Sequence, residues 1–272
     1  MLPSPLVDIG INLTHDSYDR DRADVLGRAA AAGVTTLVVT GADVHSARAA
    51  TALPPAAGVR LYSTAGIHPH HASDCSPAAV SELRSIAGHP RVVAIGECGL
   101  DYYRMLCPRP DQLLAFERQL ALAIELGLPL FLHCREAHDD FVAVLDAAGS
   151  RLPPAVVHCF TGSRSEVEAC VARGLYVGQT GFLCDERRGG HLAEVAAAIP
   201  DDRLLVETDG PYLLPRTLPA KPRDRRNEPA FLPHVVAAVA AARGVTADAV
   251  ARLSTRNACR LFRIDAPAGL PE

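Results

Sequence analysis

Short runs of β-branched and other apolar residues alternate with alanine-rich amphipathic stretches along the whole chain. The apolar runs fall at 5–12, 35–41, 60–68, 91–99, 129–134, 155–160, 175–182 and 203–209, each with the length and composition of a strand buried on both faces. Between them, stretches such as "RADVLGRAAAAG", "AAVSELRSIAG", "DQLLAFERQLALAIELG", "DDFVAVLDAAG", "SEVEACVARG" and "GHLAEVAAAI" place apolar residues at helical intervals, and several stop at a glycine suited to a helix C-cap. Doubly buried strands alternating with helices predict a parallel sheet. About eight such units predict closure into a (β/α)8 TIM-type barrel of the α/β class. A doubly wound open sheet competes, but "GINLTH" after the first strand lacks the glycines of a dinucleotide-binding turn. One domain is expected over residues 1–265, closed by two C-terminal amphipathic helices, with 266–272 as a loose tail.

The informative pattern is what ends each strand. His68, Glu97, His133, His158 and Asp209 all stand at predicted strand ends. Any one of them alone reads most simply as a solvated or capping residue. Together they are harder to dismiss: with 11 histidines in 272 residues, random placement puts well under one at eight strand ends, against about three here. Imidazoles and carboxylates directed into a barrel mouth from different strands match the ligands of a divalent metal such as Zn, Mn or Mg. The two-residue period of a strand puts Ile95 with Glu97, Phe131 with His133 and Val156 with His158 on the inward face. Cys98, Cys134 and Cys159 then point outward as core residues. Glu207 falls one layer below Asp209, placed to accept a hydrogen bond from a metal-bound imidazole.

Composition adds less. A net charge of -4 with a pI near 6.3 gives no global attraction to polyanions, so such a substrate needs a metal or a local basic cluster. The loop "PRTLPAKPRDRRNEP" after the eighth strand supplies Arg216, Lys221, Arg223, Arg225 and Arg226. Two readings of it stand level: a track for a nucleic-acid backbone, or a solvated loop whose arginines pair with Asp224 and Glu228. Tyr102 and Tyr103 likewise either stack bases or pack the rim. The eight cysteines form no C-x-x-C pair and no secretory segment precedes them, which fits reduced thiols in the cytoplasm. The longest apolar stretch, "QLALAIELGLPLFLHC", is broken by Glu125, Gly127 and Pro129, so no membrane span is expected.

The stretches "DIGINLTHDSYDRDR", "STAGIHPHHA", "AIGECGLDYY", "FLHCREAH", "VVHCFTGSRSE", "GFLCDERRG", "LLVETDGPYLLPR" and "RRNEPAFLPHV" run in order over nearly the whole chain. They resemble the TatD family of metal-dependent deoxyribonucleases. The resemblance implies a metal held by Glu97, His133 and His158, with Asp209 as a further ligand or as base on the attacking water. It implies that His68 lines the substrate cleft and that His70 and Arg135 contact phosphate. Most relatives carry a H-x-H pair at the end of the first strand as ligands of another metal, where this chain has Gly10 and Asn12. A neutral amide is a weak donor to zinc-like metals, so one firm divalent site (Mg, Mn or Zn) and a weak second one are expected. The implied reaction is phosphodiester hydrolysis, 3′ to 5′ from single-stranded DNA ends, by a monomer. A D-aminoacyl-tRNA deacylase of similar build is the alternative enzyme, and a non-catalytic binding barrel is the alternative to an enzyme. The carboxylated lysine of small-molecule amidohydrolases has no counterpart, since Lys221 is the only lysine and lies in the basic loop.

Overall fold

The structure is a computed structural model that describes residues 4–56, 58–185, 187 and 189–270. Eight strands alternate with helices: β1 (Leu6–Ile11), α1 (Arg22–Ala31), β2 (Val34–Val39), α2 (Val44–Ala52), β3 (Arg60–Ala65), α3 (Pro77–Ala87), β4 (Val92–Asp101), α4 (Arg109–Leu126), β5 (Leu130–Arg135), α5 (His138–Ala148), β6 (Ala155–Val157), α6 (Arg164–Ala172), β7 (Tyr176–Gln179), α7 (Leu192–Ala198) and β8 (Leu204–Val206). The helices α8 (Leu232–Arg243) and α9 (Ala247–Phe262) follow. The strands form one sheet in chain order from β1 to β8, the order of the (β/α)8 fold. Most strands leave the ladder earlier than the apolar runs do, because the backbone turns away to build the loops that carry His68, His158 and Asp209. β4 departs the other way and runs on to Asp101. α2, which the helical patterns above do not include, starts on a capping box in which Asp43 and Ser46 satisfy each other's backbone N–H groups.

The chain divides into two compact units, each taken by itself. The first comprises the described residues of Met1–Val39, Pro54–Leu61 and Cys159–Glu272. In it β1 pairs in parallel with β2, and β7 with β8. The seam between the first and last strands is closed by a parallel bridge of Ile11 with Gly210, by Asn12 N–H on the Gly210 carbonyl at 2.8 Å and by Asp209 N–H on the Gly10 carbonyl at 2.8 Å. Asp8, wholly buried in β1, accepts from the backbone N–H of Gly10 and from both the N–H and the hydroxyl of Thr208. Burial lifts its carboxyl, against those hydrogen bonds, to about 7. The loop after β8 is anchored by Asn227: its amide donates to the Thr208 carbonyl at 2.8 Å, its side-chain oxygen accepts the Glu228 N–H, and its own carbonyl accepts the Tyr18 hydroxyl. Past α9, residues 266–270 carry no helix or strand, and Pro271 and Glu272 of the expected tail lie outside the described residues.

The second unit comprises Thr40–Leu53 and Tyr62–His158. β4 pairs with β3 and β5, and β5 with β6, all in parallel. All ten residues of β4 are buried, as a strand covered on both faces must be. Its register against β5 shifts between Gly96 and Cys98, so the simple two-residue alternation does not carry through Glu97. Gly99, at φ 136°, lies directly under β5: a Cβ there would run into the His133 carbonyl. Glycine is what lets β5 come close enough to present His133 beside β4. Cys98 is fully buried, and burial pushes its thiol far up. All eight cysteines are free thiols, and no single helix among the described residues is long and apolar enough to cross a membrane.

Because Asn227 leaves a buried carbonyl and a buried N–H without partners when truncated, Asn227→Ala is expected to cost about 2–3 kcal/mol, read as a lower urea midpoint at unchanged slope.

Candidate active site

The second unit gathers four histidines and two acids at the ends of β3, β4, β5 and β6. Its centre is Glu97, 5% exposed. One oxygen, Oε1, meets His158 Nε2 at 2.7 Å, His133 Nδ1 at 2.9 Å and His68 Nε2 at 3.2 Å. Burial would raise the Glu97 carboxyl, yet the positive potential and hydrogen bonds of His158, His68 and His133 hold it well below the usual carboxylate range. The anion is therefore kept ionised in a place where a lone carboxylate would take up a proton.

A second carboxylate stands behind the histidines. Asp101, 1% exposed, accepts from the Arg104 N–H, pairs with His70 Nε2 at 2.8 Å and lies 3.4 Å from His133 Nε2. Burial works against its charge, but His133 and His70 hold it far below its ordinary value. Burial also pulls His133 down, and here the carboxylates of Asp101 and Glu97 outweigh it and raise the imidazole. His68 shows the opposite balance: desolvation outweighs Glu97, and its value falls to about 4. Its Nδ1 accepts the His70 N–H at 3.0 Å, which fixes the ring as the cap of the turn after β3.

The donor set suits a divalent cation. Atoms of His68, Glu97 and His133 lie within 4.8 Å of one another, and His158 reaches the same carboxylate oxygen. His133 Nε2 is buried, makes no hydrogen bond and faces the Asp101 carboxylate at 3.4 Å, so the ring is held between two acids by its two nitrogens. Imidazole nitrogens around one carboxylate are the ligand chemistry of Zn and Mn, and tolerable for Mg. His68, expected to line the substrate cleft, thus stands inside the donor cluster.

The remaining expected residues fall as follows. His70 is tied to Asp101, and Arg135, at the end of β5, lays its guanidinium 4.4 Å from the Tyr103 ring centroid. In the first unit Asp209 takes φ 55°, a left-handed conformation that Asp tolerates better than most residues. Its Oδ1 accepts from the Asn12 side-chain amide at 3.2 Å. The same nitrogen contacts the Gly210 carbonyl at 3.2 Å, which can only accept, and that sets the amide's orientation. Asn12 is therefore a donor to Asp209 and presents its nitrogen, not its oxygen, there. Glu207 is fully buried and accepts the N–H of Cys159, the residue that follows His158 in the chain. Asp101 is the site residue that strand-end reading missed; the spacing Glu97, Gly99, Asp101 in "ECGLD" was the available signal.

Residues 7–263 match the family model described as TatD related DNase. The chain belongs to the TatD family. Among the curated TatD relatives, the "3'-5' ssDNA/RNA exonuclease TatD" of Erwinia billingiae is 51% identical over 96% of this chain and all of its own length. That of Salmonella typhimurium is 48% identical over 95% of this chain and 99% of its own. Among solved structures, the TatD homologue YJJV from Escherichia coli K12 superposes with a TM-score of 0.86 at 28% identity, covering 97% of this chain and 100% of that one. A hydrolase TatD family protein from Entamoeba histolytica gives 0.85 at 26%, covering 96% and 99%. The (β/α)8 fold expected from the alternation of strands and helices is thus the fold of this TatD chain.

For His68 the folded value of about 4 lies below the ordinary value of 6.5, so the unfolded chain takes up the proton first as pH falls. The stability this group contributes is complete above pH 6.5 and is lost between 6.5 and about 4. Metal-free protein should lose up to about 3 kcal/mol across that window relative to His68→Gln, measured by urea denaturation at stepped pH; parallel curves would contradict it.

Proposed function

We propose that this chain is a metal-dependent nuclease that hydrolyses phosphodiester bonds from the 3′ ends of single-stranded DNA, with RNA as a further substrate. One observation carries the reading: a buried, ionised Glu97 whose single oxygen faces three imidazoles, one of them backed by a second buried acid, Asp101. The family match and the names of the near full-length relatives supply the substrate class.

Glu97, His133 and His158 are the residues that hold the divalent cation, and His68 adds a fourth donor. When bound, the cation supplies a Lewis acid for the phosphoryl oxygen and lowers the pKa of the attacking water. The chain's own groups do the rest. Asp101 fixes the orientation of the His133 and His70 rings. Asp209 takes the proton of the water, and the Asn12 amide, by donating to its carboxylate, holds that carboxylate in place. Arg135 and His70 contact substrate phosphate, and Glu207 fixes the backbone that follows His158. With Gly10 and Asn12 in place of two imidazoles, a second cation is held weakly. The protein acts as a monomer, and its free thiols fit the reducing cytoplasm.

The basic loop divides between its two readings. Arg216 pairs with Asp185 and Arg226 with Asp21, and Glu228 is taken by Arg28 rather than by a loop arginine. Lys221, Arg223 and Arg225 are exposed and, among the described residues, make no ion pair. Lys221 and Arg225 line one cavity of about 200 Å³ with Leu214 and Arg216. These three cations are the ones that follow the substrate backbone.

Purified protein with Mg or Mn should release nucleotides from a single-stranded oligonucleotide, and His133→Ala should lower the rate on the order of a hundredfold or more. Activity that survives this change would sink the mechanism; an inactive wild type that instead cleaves aminoacyl-tRNA would replace the nuclease with a deacylase. The double change Lys221→Ala with Arg225→Ala should weaken oligonucleotide binding and reduce the slope of log affinity against log salt by roughly 1.4. An unchanged slope would return the loop to a solvated role.

A further inference from the structure

The two tyrosines after β4 have separate fates. The Tyr102 hydroxyl donates to Asp140 at 2.6 Å and the Arg109 guanidinium lies 4.0 Å from its ring centroid. Burial and Asp140 push that phenol up to about 12. Both its polar end and its ring are in use within the protein. Tyr103 is 55% exposed, and among the described residues its hydroxyl makes no hydrogen bond. Its ring meets the Arg135 guanidinium at 4.4 Å from the centroid.

We propose that Tyr103, backed by Arg135, is a stacking subsite for an unpaired nucleobase next to the strand end being cleaved. The inference rests on the nuclease reading above and names how that site selects single strands. Its backbone is set by the sheet: Asp101 and Arg135 are register partners on β4 and β5, and Tyr102 N–H donates to the Arg135 carbonyl at 2.9 Å. Tyr103 stands two residues beyond Asp101, and Arg135 two residues beyond His133. Tyr103 lies in the turn that leaves β4, pinned by the Arg104 N–H on Asp101 Oδ1, while Arg135 is one strand repeat, about 7 Å, outward from His133 on β5 and carries the Tyr103 ring beside the candidate metal centre. That is the place for the base of a nucleotide whose phosphate lies at the cluster.

The chemistry suits a base and little else. A tyrosine held by a guanidinium presents a flat, preorganised π-face, so stacking costs little ordering. Met105 and Leu106, which follow in the same loop, are also exposed, at 44% and 65%. Stacking on an aromatic tolerates any base, as an exonuclease needs, and a base inside a duplex has both faces already occupied. The subsite thus discriminates by strandedness and not by sequence.

The chain has no tryptophan, so Tyr103→Trp introduces a single fluorophore at the proposed platform. With the Mg-loaded protein and a cleavage-resistant phosphorothioate decathymidylate, Y103W fluorescence should be quenched on binding. Duplex of the same length should not quench it. Y103A should weaken binding to the single strand about tenfold or more, Y103F should stay within about twofold of wild type, and removal of the 3′-terminal base should weaken wild type but not Y103A. Wild-type affinity in Y103A, or equal loss on removing the base in both proteins, would overturn the subsite while leaving the nuclease intact. Failure of wild type to bind or cleave single strands would overturn the nuclease reading and the subsite with it.

Discussion

A carboxylate buried among imidazoles is the constraint around which the second unit is organised. A lone ionised Glu97 in that position would be costly enough to protonate instead. It stays ionised because His158, His133 and His68 all converge on one oxygen, and each of them has to be delivered there by a different strand end. The requirement reaches into the fold: Gly99 carries no side chain so that β5 can pass close to β4, and β4 continues to Asp101 so that a second anion can hold His133 from its other nitrogen.

The first unit solves a related problem by other means. Asp209 is held where β1 meets the segment after β8, a seam tied by backbone hydrogen bonds from Asn12 and Asp209 and by the buried Asp8 carboxylate on Thr208. Asn12, where the resemblance leads one to expect a metal-ligating histidine, donates its amide to Asp209. A residue that is a poor metal ligand is, locally, a hydrogen-bond donor to the neighbouring acid.

How much of this was legible from residue order depended on whether a strand end announced it. Glu97, His133 and His158 stood out because charged or imidazole groups closing apolar runs are conspicuous, and the alternation of strands and helices revealed the fold. Asp101 does not stand out, because the apolar run ends at Gly99 and the glycines hide the continuation of β4. The two-residue alternation was a poor guide across Glu97, where the register shifts and both faces are buried. Tyr102 and Tyr103 were indistinguishable in sequence; only the positions of Asp140, Arg109 and Arg135, which are distant in the chain, separate the engaged ring from the open one. The basic loop was ambiguous for the same reason, since Asp21 and Asp185, which take Arg226 and Arg216, are remote in sequence.

The central claim is that Glu97 and its histidines are a divalent metal centre. Anomalous scattering from crystals soaked in Mn or Zn tests it directly. The account predicts a strong peak in contact with the Glu97 carboxylate and the imidazole nitrogens around it, absent from crystals of Glu97→Gln. Fully soaked crystals with no peak at Glu97, or with peaks confined to other parts of the chain, would contradict it.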